Sequence, residues 1–168
     1  LWTREWPASY QGISYAYGPR ATPTVDGDRV YVVGASGILL CLNARTGAVL
    51  WQRDYVRDYS ATMPVWGIAS APIVDGNRLI AVVGGQPDAK VVAFDKLTGK
   101  ELWRALPSDT EQGYSQPLLI ESSGVRQLIV WHPAALSSLD PATGKPLWQE
   151  PFRINLGVAL ASPVFDRA

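Results

Sequence analysis

The stretch Ala93 to Trp103, "AFDKLTGKELW", is restated twice in the same chain, as "CLNARTGAVLW" at residues 41–51 and "SLDPATGKPLW" at residues 138–148. Thr, Gly, Leu and Trp hold the same four positions of all three phrases. Trp2, Trp51, Trp103 and Trp148 are spaced 49, 52 and 45 residues apart. A second anchor keeps step with the first: "ATPTVDGDRVYVVG", "SAPIVDGNRLIAVVG", "SQPLLIESSGVRQLIVW" and "ASPVFDRA" place Pro23, Pro72, Pro117 and Pro163 at intervals of 49, 45 and 46 residues. Two independent anchors in register establish an internal repeat, which constrains the fold more than any other feature of the sequence.

Within a period the pattern is four short strands separated by turns. Thr22–Val25 predicts an innermost strand, and Gly27 in "VDGDR" accepts the positive φ of a tight hairpin. Val30–Val33 and Ile38–Leu42 predict the next two strands, and the fourth closes on Leu50 and Trp51. No helix-period stretch of useful length is present; runs of strand size bounded by Gly, Asp, Asn and Pro dominate. The repeated phrase itself reads as the hairpin joining the third and fourth strands. Asp140, Asp95 and Asn43 cap the backbone N–H groups of a type I turn, Pro141 supplies a preset φ, and Gly144, Gly99 and Gly47 follow where a left-handed residue is wanted.

The Leu-Trp ending each phrase puts an aromatic on the outermost strand, positioned to cover the neighbouring unit. Trp51, Trp103 and Trp148, with Gly47, Gly99 and Gly144, are therefore the expected structural docking residues. Four antiparallel strands per unit of about 45 to 50 residues, stacked through one aromatic, describe an all-β β-propeller of four-stranded blades rather than an open solenoid. The expected single domain, 1–168, holds about three and a half blades: a remnant at 1–20, blades at about 21–66, 67–114 and 115–160, and the start of another at 161–168. Natural propellers have typically four to eight blades, so the expectation is a piece of a longer ring, or a half-ring that a second copy closes as a homodimer.

Fifteen basic and fifteen acidic residues, with no Lys/Arg run, argue against nucleic acid as a partner. No apolar run reaches the roughly 18 to 20 residues that span a bilayer. The lone Cys41 forms no internal disulfide and reads as a small buried residue, matching Ala93 and Ser138 in the other copies. The single His132, followed by Pro133 and without a neighbouring acid or cysteine, reads as a turn or packing residue. Ser60, Ser70 and Ser115 lack the surroundings of a catalytic serine, and "VVGGQPDAK" at 82–90 is a lengthened hairpin turn rather than a phosphate loop.

The phrase at 93–103 resembles the tryptophan-docking motif of the pyrroloquinoline-quinone (PQQ) repeat family; in the other copies Asn43 replaces Asp, Ala48 replaces Lys and Pro146 replaces Glu. The family includes quinoprotein alcohol dehydrogenases of eight blades and the propeller lipoprotein of the outer-membrane barrel assembly machinery. The resemblance implies a propeller acting in the periplasm or outside the cell. Its dehydrogenase members hold their quinone under a vicinal cysteine pair beside Ca²⁺. With one cysteine in the chain, and Asp26, Asp75, Asn43, Asp95 and Asp140 assigned to turns, no catalytic, cofactor-binding or metal residue is carried over; PQQ and Ca²⁺ belong only to the dehydrogenase alternative.

Function on such a fold is expected in the loops that lead into the innermost strands. Residues 4–20 hold three tyrosines, a tryptophan and two arginines; 53–66 add Tyr55, Tyr59, Arg57, Asp58 and Trp66; 104–116 add Asp109, Glu111 and Tyr114. Arg20, Trp66 and Tyr114, nearest their inner strands, are the candidate binding residues for a protein or small-molecule partner.

Overall fold

The computed structural model describes residues 1–15, 18–154 and 158–166. Twelve strands and one short helix follow one another in the order β1 (Thr24–Asp26), β2 (Arg29–Val33), β3 (Ile38–Asn43), β4 (Val49–Asp54), α1 (Tyr55–Tyr59), β5 (Ile73–Asp75), β6 (Arg78–Gly85), β7 (Ala89–Asp95), β8 (Glu101–Ala105), β9 (Leu118–Ser122), β10 (Val125–His132), β11 (Ala135–Leu139) and β12 (Pro146–Pro151). They form three sheets of four antiparallel strands, each in simple sequence order from β1 to β4, β5 to β8 and β9 to β12. The fold is thus an all-β stack of propeller blades.

The first strand begins at Thr24, past Thr22 and Pro23, and the fourth runs on to Asp54. The helix α1 was not expected from the sequence. Its cause is local: the Asp54 carboxylate accepts from Arg57 N at 3.1 Å, and Ser60, at φ 52°, ends the turn. Tyr55 and Tyr59, four residues apart, share one face and enter the core. They are accordingly withdrawn from the predicted binding surface.

Successive sheets pack face to face, and β6 and β7 show how. Leu79, Ala81 and Val83 of β6, with Val92 and Phe94 of β7, join Tyr31, Leu39, Cys41 and Trp51 of the first sheet in one apolar cluster. The alternate residues Ile80, Val82, Val91 and Ala93 join Leu128, Val130 and Leu139 of the third sheet in another. The middle sheet is buried on both faces, which is why "LIAVV" and "VVAF" read as unbroken apolar runs instead of alternating ones. Phe94 centres the first junction, with the rings of Tyr59 and Trp51 at 6.0 and 6.4 Å. Segments 1–15, 18–23 and 158–166 carry no strand.

Candidate functional site

The sheets are joined at the outer strands by a repeated contact. The Trp2 ring lies on Gly47, Trp51 on Gly99 and Trp103 on Gly144; a Cβ on these glycines would fall 2.5, 2.7 and 2.5 Å from the ring atoms. All three glycines have φ between 70° and 74°, so they combine a left-handed backbone with a surface flat enough for an indole. Each indole N–H then donates to the carbonyl of the residue after the turn cap: Trp2 to Ala44 at 2.9 Å, Trp51 to Lys96 at 3.1 Å and Trp103 to Pro141 at 3.2 Å. Trp148 differs. Its indole donates to Gln127 Oε1 of its own sheet at 2.8 Å, and the ring is 42% exposed.

The turns beneath these rings are rigid. Asn43 Oδ1 accepts from Arg45 N and Thr46 N at 3.0 and 2.9 Å, Asp95 Oδ1 from Leu97 N and Thr98 N at 3.1 and 2.8 Å, and Asp140 Oδ1 from Ala142 N at 2.7 Å. Hydrogen bonds from Thr98 hold Asp95 below the usual carboxylate range, and the Ala142 N–H with the Thr143 hydroxyl does the same for Asp140. Two arginines fasten the docked turns further: Arg4 Nε donates to Gly47 O at 2.9 Å and Arg53 Nε to Gly99 O at 2.7 Å. The signal for this clamp, Arg two residues after the docking Trp, is visible at Trp2-Thr3-Arg4 and Trp51-Gln52-Arg53 but was missed in reading the sequence.

At the opposite end of the sheets lie the connections that carry the chain from an outermost strand to the next innermost one, residues 55–72 and 106–117, together with the segment before β1. The three candidate residues meet there. The Trp66 and Tyr114 rings are 5.5 Å apart, and Trp66 N donates to the Tyr114 hydroxyl at 3.4 Å. Arg20 donates to the carbonyls of Trp66, Ser14 and Tyr15, with the Ser14 bond at 2.7 Å. Most of its donors are therefore spent on backbone, and it positions the loops rather than offering a free cation. Tyr114 is buried and its phenol is pushed up, chiefly by that burial. Trp66 remains 37% exposed, the surface of the cluster that a partner can touch. Tyr17 lies outside the described residues.

The same end buries two polar groups: Lys90, which the sequence reading did not single out, and His132, which it read as a turn or packing residue and which packs at the end of β10. Lys90, in the apolar run of β7, is fully buried. Burial lowers its ammonium to about 8, with Asp109 opposing the shift. His132, on the last position of β10, is buried with Nε2 3.0 Å from Ser137 Oγ; burial first, then the Lys90 charge, lowers it to about 4 and keeps the imidazole neutral. The clue to Lys90 was a lysine inside the otherwise apolar run 89–94 of β7. Cys41 is buried and its thiol is pushed up by burial to about 11, the profile of an inert packing residue.

The segments leading into the innermost strands are tied as well: Ser70 Oγ donates to Ser115 O at 2.9 Å, and Ser115 Oγ donates to Ala161 O at 2.7 Å. Ser70, Ser115 and Ala161 each stand two residues before an anchor proline, so one link is repeated from sheet to sheet.

No helix among the described residues is long and apolar enough to cross a membrane. No curated protein matches the chain in sequence. Among solved structures, BamB from Moraxella catarrhalis superposes with a TM-score of 0.57 at 20% identity, over 82% of this chain and 37% of that one. Quinohemoprotein alcohol dehydrogenase from Comamonas testosteroni superposes at 0.58 and 19% identity, over 80% of this chain and 21% of that one. The protein therefore spans well under two thirds of either structure, and at such identity the likeness is one of fold. A family profile described as outer membrane protein assembly factor BamB matches residues 1–163, and the chain belongs to that family.

Proposed function

We propose that the chain is a binding and scaffolding module of an extracytoplasmic protein, and that it meets a protein partner on the end of the sheets where Trp66 and Tyr114 lie. The observation that carries this reading is the aromatic pair itself: a partly exposed indole tilted against a buried phenol, with the Trp66 backbone held by the Tyr114 hydroxyl at its N–H and by Arg20 at its carbonyl. A ring held in this way loses little conformational freedom on binding, which is the character of an interface hot spot. The other end of the sheets offers a partner less, since the inner hairpins turn there in two residues, at Gly27-Asp28, Gly76-Asn77 and Ser123-Gly124. Assembly of outer-membrane proteins, named in the family's description, is work of this kind and takes place outside the cytoplasm.

The test compares partner capture from the envelope fraction of the source cell by the native chain and by two variants. Trp66→Ala is expected to reduce recovery of the captured protein by tenfold or more, roughly the cost of removing an aromatic anchor. Val25→Ala, at an exposed site on the opposite end, is expected to leave it unchanged. Equal recovery with Trp66→Ala, or stoichiometric Ca²⁺-dependent PQQ binding in place of a protein partner, would overturn the proposal.

A further inference from the structure

Lys90 is a buried charge without a contact ion pair: among the described residues no carboxylate lies within ion-pair distance of its ammonium, and Asp109 acts on it only from further off. Its ammonium instead donates to Thr110 Oγ1 at 2.8 Å, Thr110 O at 3.2 Å and Glu111 O at 3.4 Å. All three oxygens belong to the connection between β8 and β9, which carries Tyr114 three residues further on. Backbone hydrogen bonds tie the ends of that connection, with Lys90 N donating to Leu106 O at 3.2 Å, Ser108 N to Pro87 O at 2.9 Å and Tyr114 N to Ala159 O at 2.8 Å, but side-chain atoms between them are left over. Ser108 Oγ and Gln112 Nε2 are buried and find no hydrogen-bond partner, as does Nδ1 of His132 beside them, and Leu106 at its start holds a left-handed φ of 67°.

Between those tied ends, and among the described residues, the carbonyls of Thr110 and Glu111 accept from Lys90 alone. We propose that Lys90 is a positioning residue for the aromatic platform: its ammonium latches the 106–114 loop against the second and third sheets and thereby sets Tyr114 beneath Trp66. The inference rests on the platform being the binding surface, but its test involves no partner. Failure of the latch would leave the binding proposal standing, and failure of capture would leave the latch standing.

The latch predicts a local effect. In Lys90→Met the carbonyls of Thr110 and Glu111 lose their donor and are satisfied only by opening the loop to water. Exchange of the Tyr114 amide, which donates to Ala159 O at 2.8 Å, is therefore expected to quicken by about tenfold or more. The melting temperature is expected to hold or rise, because an unpaired buried charge has been removed. Thr110→Val, which deletes a single acceptor, is expected to move the same amide in the same direction by less.

The spectroscopic signature is a change in Trp66 fluorescence in Lys90→Met that is absent when the same substitution is made in a Trp66→Phe chain. Wild-type fluorescence should also titrate as pH rises through about 8, where an amine keeps two protons for three oxygens. Asp109, Glu111 and His132 are the ionisable residues nearest Lys90, and His132 is already neutral at that pH, so its ring should not contribute that midpoint. Unchanged Tyr114 exchange in both variants would overturn the latch, as would uniform acceleration of all amides with a lowered melting temperature.

Discussion

His132 shows most plainly how a single residue links burial to a measurable property. Its ring is lowered from an ordinary 6.5 to about 4 because burial disfavours the charged form and Lys90 adds a like charge. The unfolded chain therefore binds a proton below about 6.5 that the folded chain refuses until about 4, so stability falls as pH drops through that window. A series of denaturant titrations between those limits should show the loss, and His132→Leu should flatten it. A slope unchanged by the substitution would mean that the ring is solvated. His132 and Lys90 were the least legible residues in the sequence. A lone His before Pro carries no partner in its neighbourhood, and the groups that decide its state come from another strand and a loop more than 20 residues away.

The blades were far more legible, because the hairpin phrase states its own chemistry. A capping Asp or Asn, a Thr and a left-handed Gly fix the turn, and a Trp follows four residues later; each of these choices is local and repeats in step. The docking of the tryptophans on the neighbouring unit, with the turn glycines, was expected as well; what lay beyond the sequence was the bond from each docked indole to a turn carbonyl and, after Trp2 and Trp51, the arginine two residues on that fastens the same turn. The element-scale expectation is that Gly99→Ala costs about 2–5 kcal/mol, combining the left-handed penalty with overlap on Trp51. Gly76→Ala, at φ 59° but with nothing within 4 Å, should cost only about 1–2 kcal/mol. Urea unfolding of the pair separates the two contributions; equal costs would show that the ring does not rest on Gly99. The helix α1 escaped the sequence reading for the reason that its five residues are too few for a hydrophobic period, and only the Asp54 cap marked it.

For the molecule as a whole, three sheets packed through two apolar junctions place one set of loops together at one end and one set of docking turns at the other. Gly47 already carries Trp2 of the same chain, so a second copy offering its Trp148 there would have to displace that ring. Arg20, Trp66 and Tyr114 come from three segments 46 and 48 residues apart, and the repeat alone brings them to one place. The measurement that tests the account most directly is site-specific photo-cross-linking in the source cell. A photoreactive residue replacing Trp66 is compared with one replacing Val25 at the far end. The account predicts a discrete protein adduct from position 66 and none from position 25; adducts from position 25 alone, or none from either position, would contradict it.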